Sequence, residues 1–511
     1  MFLDLRVGHL REPLTGRRWE QSDVMQQALQ RAGLYQRVGL KAGDRVFVHY
    51  GNSLEFFADL LAVWMLGACV VPIDGRLTPF EVEMLARAAM PRLSLWCGSP
   101  DAAMGNMLES AGIRQLDTSE DKIRGEVPLA PAELAGHLTL DQDALILFTS
   151  GTTGQPKGVV HTHRSLRARW FSLQQSLGLA PFRRTLCLLP THFGHGLICN
   201  CLFPWLAGQE LFIVPPFRAE IIARLGALID ESGITFMSSV PAVWRLACKT
   251  ARPPGGKSLE QVFCGSAPLS GTLWQSIKDW TGARVLNAYG ITETGSWMAG
   301  TSVDDFAPED GLIGQPWGGM IRVLRKRETT IPPWLNEPAE TGETGYIWVN
   351  TPALMRGYLD RDDLTGQVVS HGWFFTGDMG LVDERGWLYL RGREREEINK
   401  GGMKVYPGDI DAVIESFHAT LDVCTFGFED PLYGENIGIA VVLQSSDPAT
   451  LKQLAEWVMQ RLGSHQIPAR WYVLDEITRT SRGKVNRERV AGQCEGLAPA
   501  DIRALHTAGQ G

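Results

Sequence analysis

A chain of 511 residues is longer than one ordinary hydrophobic core fills, so two or more domains are expected. With 44% hydrophobic and 21% charged residues it has the mixture of a soluble globular protein, and a net charge of −8 supplies no broad basic field, so nucleic-acid binding is not expected. The nine cysteines sit in apolar contexts without a C-x-x-C spacing, which reads as buried, reduced thiols in a cytoplasm. Charges fall within the first six residues, Met-Phe-Leu-Asp-Leu-Arg, where a secretory leader would need an apolar core, so none is expected. The longest apolar run, 56–73, contains Asp59 and is broken by Gly67 and Pro72. A helix ending at Gly67 followed by a short strand accounts for it better than a membrane span.

In chain order, helical patterns at 24–32, 54–66 and 79–89 alternate with short β-branched runs at 45–49 and 69–71. Such alternation predicts an α/β fold with largely parallel strands. The pattern resumes with strands at 185–189 and 210–214, a helix at 221–231, and strands at 235–239, 261–264 and 284–287. Between 311 and 392 the texture changes to short strands and turns, at 321–324, 345–349, 373–375 and 387–390. The polar run Gly-Arg-Glu-Arg-Glu-Glu after Arg391 reads as an exposed junction, and a smaller α/β unit follows from 398 to about 490. The expected division is 1–392 and 393–511.

Directly behind the apolar run 144–147 stands Phe-Thr-Ser-Gly-Thr-Thr-Gly-Gln-Pro-Lys-Gly-Val, residues 148–159, and a helix-like run follows at 165–177. Glycine lets the backbone turn its N–H groups toward an anion; Thr149, Ser150, Thr152 and Thr153 supply hydroxyl donors, and Lys157 supplies charge. A flexible linker would not sit between a buried strand and a helix, so the stretch reads as a phosphate cradle. It is not a Walker A loop, because Pro156 stands where Gly would precede the lysine.

This loop resembles the phosphate loop of the adenylate-forming superfamily, which contains acyl-CoA synthetases, luciferases and peptide-synthetase adenylation domains, and further matches extend the resemblance from about residue 20 to 490. Asn287-Ala-Tyr-Gly-Ile-Thr-Glu-Thr matches its Tyr-Gly-x-Thr-Glu signature; Cys264-Gly-Ser-Ala-Pro matches a small-residue turn; Gly372-Trp-Phe-Phe-Thr-Gly-Asp matches its ribose signature. The resemblance implies a large N-terminal domain of α/β subdomains with a small barrel-like subdomain, and a small mobile C-terminal α/β domain. It implies ATP binding by Thr149, Ser150, Gly151, Thr152, Thr153, Gly154, Lys157, Gly265, Ser266, Ala267, Asn287, Ala288, Tyr289, Gly290, Asp378 and Arg393. Within that set Tyr289 would stack on adenine, and Asp378 with Arg393 would hold the ribose hydroxyls. Thr292 would touch the α-phosphate, Glu293 would hold Mg²⁺, and Lys484 would neutralise charge built up as a carboxylate attacks the α-phosphorus. The charges make chemical sense, because a hard dication needs a carboxylate and crowded phosphates need cations.

Two other stretches carry weaker readings. Ala251-Arg-Pro-Pro-Gly-Gly-Lys-Ser fits a relaxed Walker pattern but follows a helical run and holds paired prolines, so it reads as a loop. His161, His163, His192 and His195 lack a Cys or carboxylate at ligand spacing, and zinc is not expected. In Pro190-Thr-His-Phe-Gly-His-Gly, the family's His or aromatic beside the acyl pocket appears as Phe193, with His192 one step earlier, and Gly194 stands where amino-acid-activating relatives carry Asp. A free α-amino acid is therefore not the expected substrate. His192, Phe193 and Trp297 are expected around the acid, and large rings there predict a compact, aromatic or cyclic, uncharged tail. Arg395 stands at the hinge position, and Gly401-Gly402 resembles the glycine turn beside the acceptor channel. The expected acceptor is coenzyme A, with an amine or a carrier protein acting in trans as alternatives; no membrane span is expected, and a homodimer is left open.

Overall fold

The computed structural model describes residues 6–130, 138–149, 157–216, 218–301, 308–328, 330–400, 403–430, 433–445, 447–480 and 483–500. Of the residues expected in the site, Ser150, Gly151, Thr152, Thr153, Gly154 and Gly402 lie outside them, and only the backbone of Arg395 lies within.

Two large sheets carry the N-terminal domain. The first runs in the order Gly357–Tyr358, Lys157–Thr162, Asp143–Thr149, Cys69–Pro72, Arg45–Val48, Leu93–Trp96, Arg114–Asp117, parallel from Asp143–Thr149 onward. The helix Pro79–Ala89 opens on a capping box between Thr78 and Glu81, with proline at its first turn, and closes at Met90 in the left-handed region. The helix Leu54–Met65 is buried on every face, Asp59 included. That charge is tolerated because Arg31 Nε lies 2.7 Å from its Oδ1, the Tyr35 hydroxyl donates to Oδ1, and Thr118 Oγ1 donates to Oδ2 at 2.8 Å. Gly67, at φ 69°, then turns the chain into the strand Cys69–Pro72. Among the described residues no helix is long and apolar enough to cross a membrane.

The second sheet continues from antiparallel to parallel. Its antiparallel part takes the strands Met320–Leu324, Gly345–Asn350, Trp373–Val382, Leu388–Arg393, Leu312–Pro316 and Ser296–Gly300. Its parallel part follows with Arg284–Ile291, Gln261–Gly265, Phe236–Ser239, Arg184–Cys187 and Glu210–Ile213. The strand Leu388–Arg393 belongs to this sheet, and after the 3₁₀ turn Glu394–Glu396 the next strand, Ile398–Lys400, belongs to a third. That small sheet, centred on the long pair Thr420–Asp430 and Gly434–Leu443, packs on the helices Pro407–Glu415 and Pro448–Arg461 with a core of its own. The two domains touch: Arg245 pairs with Glu415, Arg391 Nη1 lies 3.4 Å from Asp409 Oδ1, and Gly483 sits against Val240.

Three local expectations need correction. The single helix at 221–231 is two, Ala219–Ala223 and Leu225–Ser232, because the chain breaks at Arg224 and brings Gly226 so close to the Arg252 carbonyl that a Cβ would lie 2.1 Å from it. The short strand at 373–375 runs on to Val382, with Gly377 at φ 74° carrying it through a bend. Not every thiol is buried either: Cys97 is exposed and Cys248 half-buried, while the other seven are buried.

Candidate active site

The ends of the strands Asp143–Thr149, Gln261–Gly265 and Arg284–Ile291 and the middle of Trp373–Val382 supply Thr149, Gly265, Asn287 to Gly290 and Asp378 of the expected site. Thr149 pairs with Lys157 across the mouth of the hairpin that the phosphate loop closes. Lys157 Nζ lies 5.6 Å from the centre of the Tyr358 ring, and the Tyr358 hydroxyl donates to Glu293 Oε1 at 2.8 Å. Burial and the Glu293 charge push the Tyr358 hydroxyl far above its ordinary titration range, so it stays a donor. The loop lysine, this tyrosine and Glu293 therefore form one cluster. Sequence reasoning missed Tyr358, since nothing in a tyrosine 65 residues from its partner marks the contact.

Glu293 stands in the 3₁₀ turn Thr292–Thr294, which Gly295 closes at φ 72°. Three side chains or backbone groups from other elements pin that turn. His161 Nε2 hydrogen-bonds with Thr292 O at 2.8 Å, Met355 N donates to Glu293 O at 2.7 Å, and the buried Arg169 donates to Thr294 O, Trp317 O and Thr351 Oγ1. Burial lowers His161 to about 4, so its ring is neutral at pH 7. Burial also lowers Arg169, to about 10, with carbonyls rather than a carboxylate around it.

Asp378 is almost wholly buried. Arg393 Nε lies 3.0 Å from its Oδ1, and the Tyr289 hydroxyl donates to its Oδ2. Tyr289 is thus held by its hydroxyl, and burial beside Asp378 keeps that hydroxyl protonated. Asn287 spends its side-chain amide on Leu312 O at 2.7 Å, which ties the strand Arg284–Ile291 to Leu312–Pro316. The small residues of the two motifs have steric reasons. A Cβ on Gly265 would lie 2.4 Å from the Ala288 carbonyl oxygen, and one on Gly290 would lie 2.0 Å from that of Ser296. Ala288 pairs with Gly265 in register, and Ala267 follows Ser266, which holds φ 66°.

Beyond these strands, residues His195–Leu202 form a π-helix, a form that sequence did not suggest and that is frequent at functional sites. It carries His195 between two hydroxyls, Nδ1 hydrogen-bonding with Ser266 Oγ at 2.8 Å and Nε2 with Ser238 Oγ at 2.6 Å. Trp297 packs edge-on to His195, with ring centres 5.6 Å apart, and to Phe263 at 4.8 Å. His192 does have a carboxylate beside it in space, Asp74 Oδ2 at 3.4 Å, and its ring meets Phe193 at 4.2 Å. The small domain completes the arrangement. Lys484 is exposed on the turn that packs against Val240, and burial first, then the Lys484 charge, lowers His195 to about 3. The relaxed Walker stretch is turned inward on itself: the N–H groups of Gly255 and Gly256 donate to Asp230, so they are not offered to a phosphate.

The pair Thr149–Lys157 is linked to the Glu293 turn through Tyr358, and the Asp378–Arg393 pair to the strand Arg284–Ile291 through Tyr289. The family profile described as AMP-binding enzyme matches residues 11–359, and that of the AMP-binding enzyme C-terminal domain matches 409–484. The chain belongs to the AMP-binding enzyme family. It is an ATP-dependent, AMP-forming acid ligase of the adenylate-forming superfamily. A sulfoacetate–CoA ligase of Cupriavidus necator is 29% identical over 89% of this chain and 88% of its own length. An oxalate–CoA ligase of Arabidopsis thaliana is 27% identical over 92% and 91%. Among solved structures, the o-succinylbenzoate CoA synthetase of Bacillus subtilis with its acyl-adenylate intermediate shares the fold, with a TM-score of 0.83 at 23% identity over 98% of this chain and 97% of that one.

Proposed function

We propose that this enzyme activates a small carboxylic acid with MgATP and passes the acyl group to coenzyme A. The observation that carries the reading is the buried Asp378 carboxylate held between Arg393 and the Tyr289 hydroxyl, with Tyr358 tying Glu293 to the side of the loop lysine, Lys157. In the first step a carboxylate oxygen forms a bond to the α-phosphorus, the bond from that phosphorus to the bridging oxygen breaks, and pyrophosphate leaves. Lys484 and Thr292 face the oxygens whose charge rises, while the loop from Thr149 to Lys157 cradles the departing phosphates. Asp378 and Arg393 hold the ribose, and Tyr289 carries the base.

Glu293 fits a magnesium ion: Tyr358 fixes one carboxylate oxygen, and among the described residues the second has no partner. Bound there, the ion would neutralise phosphate charge. In the second step the acceptor thiol attacks the acyl carbon and AMP leaves. The activities named for these two relatives, both ligases to CoA, support the thiol over an amine. The test is an acid panel assayed for pyrophosphate, with CoA, with amines and with neither. Acid-dependent pyrophosphate and a thioester formed only with CoA are expected. Release of phosphate and ADP instead would overturn the adenylation step, and an amide product would replace the acceptor.

A further inference from the structure

The cluster around His195 has a hydrogen-bonding balance that bears on which acid would fit against it. Phe236 and Ser238 share one face of their strand, since side chains alternate, and Phe263 lies opposite Ser238 in register. On that face stand His195, with both ring nitrogens bonded to hydroxyls, and the indole of Trp297, whose side chain is 2% exposed. A neutral imidazole has one N–H and one bare nitrogen. It donates to one serine and accepts from the other, so whichever tautomer forms, the serine that accepts keeps its own O–H unspent. Trp297 Nε1 is likewise a buried donor without a hydrogen-bond partner. Buried donors are rarely left unmade, because each costs about 1–3 kcal/mol. The face therefore offers two donors beside aromatic walls: the buried indole N–H, and a serine O–H from Ser238, which is buried, or Ser266, which is half-buried.

Charge is balanced differently. His195 is neutral at working pH, and Arg169, the buried cation nearby, spends its N–H groups on Thr294, Trp317 and Thr351. The Lys484 charge is felt at His195, and the ligase reading assigns that lysine to the reacting carboxylate. Among the described residues, a second anion buried against Trp297 would find no cation hydrogen-bonded or paired on this face. Resting on the ligase reading above, we infer that the acid substrate is compact, carries no second charge, and bears an acceptor oxygen, such as a ketone or ether, that takes the Trp297 indole N–H and the free serine hydroxyl. This sets it apart from the sulfoacetate and oxalate named for its relatives, both of which carry a second acidic group.

The experiment compares matched acids. 4-Oxopentanoate is set against 4-methylpentanoate, and 3-acetylbenzoate against 3-isopropylbenzoate and the dianion of benzene-1,3-dicarboxylic acid, with pyrophosphate release giving kcat/KM. A site with buried donors rejects the analogue lacking the acceptor, so the ketones should outrun their hydrocarbon partners by ~10-fold or more. Trp297→Phe, which keeps a ring and removes the N–H, should bring that ratio toward one. Ser238→Ala, which breaks the hydroxyl relay from another strand, should also lower it, and serves if the tryptophan variant folds poorly. A ratio near one in the parent enzyme, an unchanged ratio in both variants, or a dianion that outruns the ketones overturns the inference and leaves the ligase reading standing. Acid-dependent pyrophosphate from no member of this panel or of the broader one overturns both.

Discussion

At the scale of single residues, the site is built from groups whose partners fix their charge state. Asp378 accepts from Arg393 and Tyr289 with almost no exposure, so its carboxylate is aimed before any nucleotide arrives. Asp378→Asn keeps the shape and removes the charge; with charge-assisted bonds worth about 1.5–3 kcal/mol, the KM for ATP should rise ~10-fold or more. Initial rates with ATP varied at saturating acid measure this, and an unchanged ATP dependence would remove the ribose assignment. Tyr358→Phe tests the other end of the nucleotide. Without the hydroxyl on Glu293, half-saturation by magnesium should move up several-fold, and titration of the rate with the metal reads it. His49 gives a pH effect in stability. It is buried, stacked on Trp96 with ring centres 4.1 Å apart, and burial lowers it to about 3 from an ordinary 6.5. Between those values the unfolded chain binds a proton that the folded chain does not. Its contribution is therefore complete above pH 6.5 and erodes as pH falls, by about 2 kcal/mol at pH 5. His49→Phe should flatten the loss of stability between pH 7 and 5 in urea melts.

At the scale of elements, the turn Thr292–Thr294 depends on neighbours from three other stretches, and Arg169 of the helix His163–Leu177 is the strongest of them. Arg169→Met would leave the Thr294 and Trp317 carbonyls buried without donors, at about 2–4 kcal/mol together. A lowered Tm together with a lowered kcat is expected, since the same turn aims Glu293; a Tm loss with kcat intact would show the turn to be held without it. Much of this layer was legible in sequence. The helix Pro79–Ala89 and the strands at the sheet centre announce themselves through capping residues and β-branched runs, and the motif residues fall on strand ends because glycines there permit backbone contact. The π-helix His195–Leu202 was not legible. Every one of its residues is buried, so no polar face leaves a period to read, and its partners Ser238, on the strand Phe236–Ser239, and Ser266, just past the strand Gln261–Gly265, are distant in sequence. Tyr358 and Arg169 escaped for the same reason: their contacts are long-range, and only folding brings them to Glu293 and its turn.

At the scale of the whole molecule, the small domain is held against the large one by named contacts, and its placement bears on both half-reactions. Here its turn 483–484 lies near Val240 and the Lys484 charge is felt at His195, while Arg245 of the large domain pairs with Glu415 of the small one. Glu415 is raised by burial, with Arg245 working against the shift, so the pair is a charge contact between the two domains. The acceptor must also reach the acyl carbon, and a lysine pressed on the adenylate would stand close to that path. The small domain would then turn about the segment 394–397, whose 3₁₀ turn joins the two sheets, to let the thiol in. Two variants separate this from a fixed arrangement. Lys484→Ala should abolish adenylate formation from acid and ATP while leaving transfer from a supplied acyl adenylate nearly intact. Arg245→Ala weakens the Lys484-facing orientation without touching either reacting centre, so it should slow the first step several-fold and leave the second equal or faster. Single-turnover assays of each half-reaction read both outcomes. If Arg245→Ala slowed the two steps equally, the Arg245–Glu415 contact would serve stability alone and the orientation seen here would not be specific to adenylation. If Lys484→Ala also blocked transfer, one arrangement of the domains would have to perform both steps.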